Sequence, residues 1–215
     1  MSLSQAIAER KAAAVAKMPS DIVETFGRTT KELIDSGIDG KALGDGDKAP
    51  TFALPNATGK TIDLANLLKD GPVVISFYRG AWCPYCNLEV GALQAKLPEI
   101  EAAGAKLIAI SPELPDNSLE FQEKNELTFE VLSDQGNKVA RQFGLVFTLH
   151  DDLKPIYTKF GFDLSEKNGD DSWELPLPAT YVIAQDGTIA KSFVSADYTA
   201  RMEPEDVVAA LKRLT

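Results

Sequence analysis

The sequence predicts an α/β domain built on a parallel or mixed sheet with helices on its faces, carrying a helical extension ahead of it. Three observations predict it. Short β-branched runs alternate with stretches of helical periodicity between residues 73 and 143. Two apolar runs around Gln185-Asp186-Gly187-Thr188 give a clear hairpin signal, and two helical patterns come before the glycine-containing stretch 40–50. At 215 residues, 44% hydrophobic and 25% charged, the chain has the size of one domain with additions and the composition of a folded globular protein.

Taken in order, residues 3–18 are alanine-rich, with Ile7, Ala14 and Met18 on one face and Pro19 ending the pattern. Asp21 is placed to cap a second helix with Glu24 three residues on, and Ile22, Val23, Phe26, Leu33 and Ile34 supply its apolar face. These helices define an extension over residues 1–40, expected to pack across the domain or against a second copy of the chain, so a homodimer is one expectation. The main domain takes residues 41–215. In it, an apolar run at 51–54, a turn at 56–60 and a helical turn at 64–68 precede 73–78, a β-rich run short enough to be a buried central strand. Leu88, Leu93, Leu97 and Ile100 then recur at helical spacing up to Gly104. Strands at 106–111 and 130–132 and helices at 117–125 and 138–143 follow. Residues 145–177 mix Phe147, Tyr157, Phe160, Phe162 and Trp173 with turn residues, show no single period, and are expected to form a partly ordered insertion. The hairpin at 181–194 and an amphipathic helix over 203–214, with Pro204 in its first turn, complete the domain.

Composition narrows the function classes. The 22 basic and 32 acidic residues leave a charge of −10, and no stretch gathers Lys or Arg into the patch that phosphate backbones require, so nucleic acid is not an expected partner. No window holds the roughly 18 apolar residues of a membrane span. Residues 1–20 also lack the apolar region and cleavage site of a secretory signal, so a soluble, cytoplasmic protein is expected. Cys83 and Cys86 are the only cysteines and His150 the only histidine, too few for a closed zinc site of four such ligands, so neither metal nor cofactor is expected. His150, in the irregular stretch, reads as a surface or structural histidine before a catalytic one.

The chemistry concentrates at Trp82-Cys83-Pro84-Tyr85-Cys86. A C-x-x-C pair directly after a buried strand and at the opening of a helix sits where backbone N–H groups and the helix dipole favour an anion. Only the thiolate attacks disulfides or peroxides, so this placement creates reactivity. Residues three apart on a helix share a face, so once one sulfur is oxidised the other can close a disulfide. The bland readings, a static bridge or half of a shared metal site, fit this context less well.

From about Gly44 onward the sequence resembles the peroxiredoxin-like branch of the thioredoxin superfamily, the alkyl hydroperoxide reductase and thiol-specific antioxidant family. The resemblance rests on Gly44-Asp45, on residues 49–54, on 73–78 leading into the cysteines, on Leu132-Ser133-Asp134, and on 178–183 with Asp186-Gly187. It implies a thioredoxin-like fold and reduction of hydroperoxides with electrons from a thioredoxin-like or glutathione-based donor. The surroundings of the cysteines depart from the peroxidase pattern. With Cys86 as the peroxidatic cysteine, Arg79 stands where that family has proline, Cys83 where it has threonine, and Pro178 where many members present an arginine. Trp-Cys-x-x-Cys with Pro178 is instead similar to thioredoxin, which implies a cis Leu177–Pro178 bond, the alternative being an ordinary strand-start proline. Thioredoxin logic makes Cys83 the attacker and the peroxidase alignment makes it Cys86. Arg79 is a candidate to replace the missing arginine, against a solvated or ion-paired role. Trp82 and Tyr85 are candidates to floor a docking surface, against simple packing. The rival functions are a protein disulfide reductase with little peroxide turnover and a redox-sensing module whose helices over 3–36 engage a partner.

Overall fold

The computed structural model describes residues 1–214. Two helices open the chain, α1 (Leu3–Val15) and α2 (Ser20–Asp35), followed by a 3-10 turn at Ile38–Lys41. A small antiparallel pair, β1 (Ala53–Pro55) and β2 (Thr61–Asp63), leads to α3 (Leu64–Asp70), which the Asp63 carboxylate caps at Asn66 N. β3 (Val73–Phe77) feeds α4 (Pro84–Ala102), and β4 (Lys106–Ser111), α5 (Pro115–Lys124), β5 (Glu130–Ser133) and α6 (Lys138–Gln142) continue the alternation. After these come β6 (Val146–Thr148), α7 (Lys154–Lys159), α8 (Leu164–Asn168) and β7 (Glu174–Pro176), then the hairpin of β8 (Ala179–Ile183) and β9 (Ile189–Val194), and last α9 (Pro204–Leu211).

The five-stranded sheet runs β5-β4-β3-β8-β9, parallel across its first three strands and antiparallel across its last three. β3 lies at its centre, buried along its whole length, which is why it reads as an unbroken apolar run. Register sets Ile75 opposite both Ile108 and Tyr181, and the two-residue period then divides the core. On one face Val74, Ala109 and Val182 meet Val90, Leu93 and Leu97 of α4. On the other, Ile75, Ile110 and Tyr181 meet Leu64 and Phe143. Each fully buried Leu or Ile side chain contributes about 1.5–3 kcal/mol, so α4, buried against the sheet through seven of its residues, is a rigid mount for what stands at its start.

Three expectations need correction. The reciprocal cap expected at Asp21 and Glu24 is made one helix earlier, where Ser2 caps α1 and Gln5 returns the hydrogen bond. Pro19 takes the cap position of α2, so Asp21 falls inside its first turn, where the helix dipole favours its charge. Residues 145–177 are ordered: β6 pairs with β7, and α7 and α8 gather around Leu149, Leu153, Tyr157, Leu164 and Leu175. Elements of three to six residues are too short to declare a period. The Leu177–Pro178 bond is trans, as are the other described peptide bonds. Leu177 N donates to Leu145 O at 2.8 Å, and Pro178 stands immediately before β8, close to the strand-start alternative.

The amino-terminal end of α1 is fastened from the far end of the chain. Glu203 Oε2 accepts from Leu3 N at 2.9 Å and Oε1 from Ser4 N at 2.8 Å, satisfying two otherwise unpaired donors of the first turn. Leu3 and Ile7 bury themselves in the cluster that α4 anchors.

Candidate active site

Five residues, Tyr78 to Trp82, connect β3 to the Cys83 cap of α4. The turn depends on Gly80, whose φ is +151°: a Cβ there would stand 2.2 Å from Trp82 Nε1, so the indole folds back over the loop only because no side chain occupies that space. Cys83 is the N-cap of α4, with extended φ of −84° and ψ of 113°, and Pro84 follows at the first helical position. Cys86 lies in the first turn. Both are free thiols and both are buried, at 1% and 0% exposure.

Two arginines attend the pair. Arg201 Nη2 donates to Cys86 Sγ at 3.4 Å, and its Nε lies 2.5 Å from Glu89 Oε2. Its Nη1 donates to Tyr198 O and Ala200 O. Arg79 is buried without a carboxylate partner among the described residues. It hydrogen-bonds the Tyr157 hydroxyl and stacks in an aromatic cage, its guanidinium carbon 4.6 Å from the Tyr198 ring centroid, 5.0 Å from Trp82 and 5.8 Å from Tyr157. Its Nε, and the Trp82 indole N–H, have no hydrogen-bond partner. A buried cation without a counter-ion is costly, so the site favours an anion close to Arg79.

The titration of the two sulfurs follows from this. Burial alone pushes the Cys83 thiol up, but a hydrogen bond with Cys86 and the charges of Arg79 and Arg201 outweigh it and bring Cys83 down to about 6. Burial and the neighbouring Cys83 sulfur hold Cys86 well above its ordinary value, Arg201 and Arg79 opposing them. The arrangement keeps one thiolate at Cys83 and one thiol at Cys86.

Two buried carboxyls complete the surroundings. Glu89, one helical turn beyond Cys86, is raised to about 7, chiefly by burial and secondarily by nearby Cys86, against the pull of Arg201; it also accepts from Thr180 Oγ1 at 3.1 Å. Glu113, on the loop after β4, accepts from Ala81 N at 2.7 Å and is likewise raised by burial to about 7.

A cavity of about 490 Å³ opens beside Cys83, walled by Arg79, Trp82, Tyr157 and Tyr198 and bordered by residues of α1 and α2. The structure therefore brings Arg79, Trp82 and Cys83 together, and places Tyr85 in the same wall, its ring 5.7 Å from that of Tyr198. Pro178 lines a neighbouring cavity of about 210 Å³ with Arg79, Tyr157 and His150. His150 caps a 3-10 turn, its Nδ1 accepting from Asp152 N, as a structural histidine does. Arg201 reaches Cys86 from the loop after β9. Sequence reasoning missed Arg201, Glu89, Glu113, Tyr157 and Tyr198. Only Glu89 left a signal, a lone acid in line with Cys86, Val90, Leu93 and Leu97 on the buried face of α4. No group of three or more His, Cys, Asp or Glu among the described residues is disposed to hold a metal ion.

Comparison with known proteins yields a consistent picture. The family described as AhpC/TSA matches residues 46–192. Peroxiredoxin Bcp of Escherichia coli K12 is 34% identical over 100 residues, which cover 46% of this chain and 64% of that protein. The chloroplastic peroxiredoxin Q of Populus jackii is 34% identical over 100 residues, 46% of each chain. The crystal structure of peroxidoxin BcpB from Mycobacterium tuberculosis superposes with a TM-score of 0.63 at 26% identity, covering 80% of this chain and 99% of that one. The chain thus matches 64% of the length of the first of these curated relatives. The fold is that of the thioredoxin superfamily in its peroxiredoxin-like form, and no described helix is long and apolar enough to cross a membrane.

Proposed function

Because the chain belongs to the AhpC/TSA family, we propose that it is a thiol peroxidase that cycles Cys83 and Cys86 between dithiol and disulfide. The observation that carries the proposal is the unpaired Arg79 beside Cys83 at the wall of the 490 Å³ cavity: the Cys83 thiolate is the anion this buried cation lacks. In this reading the Cys83 sulfur attacks the distal oxygen of a hydroperoxide. An S–O bond forms, the O–O bond breaks, and the alkoxide takes a proton and leaves as alcohol. Arg79 Nε, free of other partners, donates to the peroxide oxygens as charge develops. The Cys86 sulfur, after giving up its proton, attacks the Cys83 sulfenic acid, forming the S–S bond and expelling hydroxide, which leaves as water. A thioredoxin-like or glutathione-based thiol donor then returns two electrons and restores both thiols.

Cys83 is assigned the attack because it lines the cavity and is the lower-titrating sulfur; Cys86 sits deeper, on Arg201. The burial of both sulfurs favours a hydroperoxide that enters the cavity over a disulfide on another protein, which would need an exposed sulfur. The division into a helical extension (1–40) and a thioredoxin-like domain (41–215), and a cytoplasmic setting, belong to the same reading. The test is consumption of hydrogen peroxide and of cumene hydroperoxide with a thioredoxin system, followed by mass spectrometry after one equivalent of oxidant. Turnover, with the first oxidised sulfur at Cys83, is the expected result. Consumption no faster than that of a Cys83→Ser, Cys86→Ser variant removes the proposal, and first oxidation at Cys86 reverses the roles.

A further inference from the structure

The cavity at Cys83 is much larger than the smallest hydroperoxide requires. A water occupies about 30 Å³ in the liquid, so a space of about 490 Å³ exceeds the needs of hydrogen peroxide by roughly an order of magnitude and lies in the range of sites for organic ligands. A large part of its wall comes from α1 and α2, which lie outside the family-matched residues 46–192. The wall is apolar in a specific way. Among the large hydrophobic side chains that the molecule leaves exposed, Val15 at 45%, Ile34 at 44% and Phe160 at 37% all border this cavity, an apolar mouth without a partner.

Its charge runs against that of the whole molecule. The chain carries −10, yet the cavity is bordered by Arg10, Lys11, Lys31 and Arg79 and by one acid, Asp197. Lys31 is paired with Asp35 and Lys11 reaches Thr199 Oγ1 at 3.5 Å, whereas Arg10 forms no ion pair among the described residues. Cationic residues around an apolar cavity, in an otherwise acidic molecule, complement an anion that carries a hydrocarbon chain.

We propose that α1 and α2 build, against Trp82 and Tyr198, a binding site for long-chain carboxylates, with the carboxylate on the basic residues of α1 and α2 and the acyl chain in the cavity at Cys83. The inference rests on the peroxidase reading for its consequence, that the hydroperoxide of a fatty acid is selected over smaller peroxides. The binding itself does not depend on turnover.

Two measurements test it. Laurate, below its micelle concentration, should bind the full-length protein with one-to-one stoichiometry by calorimetry and slow alkylation of Cys83 by iodoacetamide. In turnover, the free-acid hydroperoxide of linoleic acid should exceed its uncharged methyl ester in kcat/KM by about tenfold, the scale of a few partly exposed ion pairs. Arg10→Glu should shrink that ratio, and Ile34→Glu should weaken laurate binding; both positions are exposed, so the fold tolerates them. Laurate that neither binds nor protects, or an acid and ester handled alike, overturns the proposal. If no peroxide of any kind is turned over, the peroxidase reading fails, and laurate binding alone decides this one.

Discussion

Replacing Arg79 by methionine would remove the guanidinium beside Cys83 while keeping much of the side chain's buried volume. An opposite charge within about 4–6 Å lowers an acid's midpoint by about 1 to 3, so Cys83, at about 6 in the native protein, should titrate between about 7 and 9 in the variant. Arg201 and the hydrogen bond with Cys86 remain, which favours the lower end of that range. At about pH 6.5 the thiolate fraction then falls from about three quarters to about one quarter at the smallest displacement, and below about one hundredth at the largest. Because only the thiolate alkylates, the rate of iodoacetamide addition to Cys83, mapped by mass spectrometry, should drop at least about threefold at that pH and approach that of the native protein in alkali. Peroxidase activity should likewise be lost as the pH falls through about 6 in the native protein and at a higher pH in the variant. Arg79→Lys, which restores a cation without the planar fork, should recover part of the shift. Equal alkylation rates for native and Arg79→Met protein at this pH would refute the reasoning, as would a first adduct on Cys86.

Three other perturbations have directions set by the structure. Glu113 keeps its proton up to about 7 when folded and gives it up near its ordinary 4.5 when unfolded, so stability is fully present below the lower value and declines as pH rises through the higher. At about 1.4 kcal/mol per pH unit, the loss is about 3 kcal/mol; Glu113→Gln should flatten that slope in urea titrations at several pH values, and an unchanged slope would sink the assignment. Gly80→Ala sets a Cβ 2.2 Å from Trp82 Nε1 at a φ of +151° and should cost about 1–3 kcal/mol, read as a lower Tm together with altered tryptophan fluorescence. Arg201→Met removes the cation that holds Glu89 down, so its midpoint should rise above about 7 and the variant should lose stability more steeply than the native protein as pH rises past neutrality; adding Glu89→Gln should abolish that extra pH dependence in a double-mutant cycle of urea midpoints, and a cycle that shows simple additivity contradicts the pairing.

What could be read from the sequence was what lies close together along the chain. The central strand at Val73–Phe77 declares itself because every residue in it is buried, and the cysteine pair declares itself because cap and first turn are three residues apart. The environment of those sulfurs is assembled from afar. Arg201 stands 115 residues beyond the Cys86 it touches, and Tyr157 is 78 residues beyond Arg79. Tyr157 also sits in elements too short to have a period, so neither spacing nor pattern could announce it. The cap of α2 falls at Pro19 and not at Asp21 for a local reason: Asp21-x-x-Glu24 has the form of a capping box as a string, but the helix already begins at Ser20, so Asp21 lies inside its first turn. Pro178 misled because here a thioredoxin-like cysteine motif goes with a trans Leu177–Pro178 bond.

The hydrogen bonds from Leu3 and Ser4 to Glu203 span 200 and 199 residues, and this separation orders events during synthesis. Synthesis runs from α1 towards Glu203, so the two first-turn donors that Glu203 satisfies wait for their acceptor until residue 203 is added, although α4, against which Leu3 and Ile7 are buried, is made much earlier. The sheet, the cysteine loop and α4 all precede residue 203 along the chain. The clamp on the helix that borders the cavity at Cys83 is thus among the later contacts a growing chain can make, and a nascent chain stalled short of residue 203 would lack it.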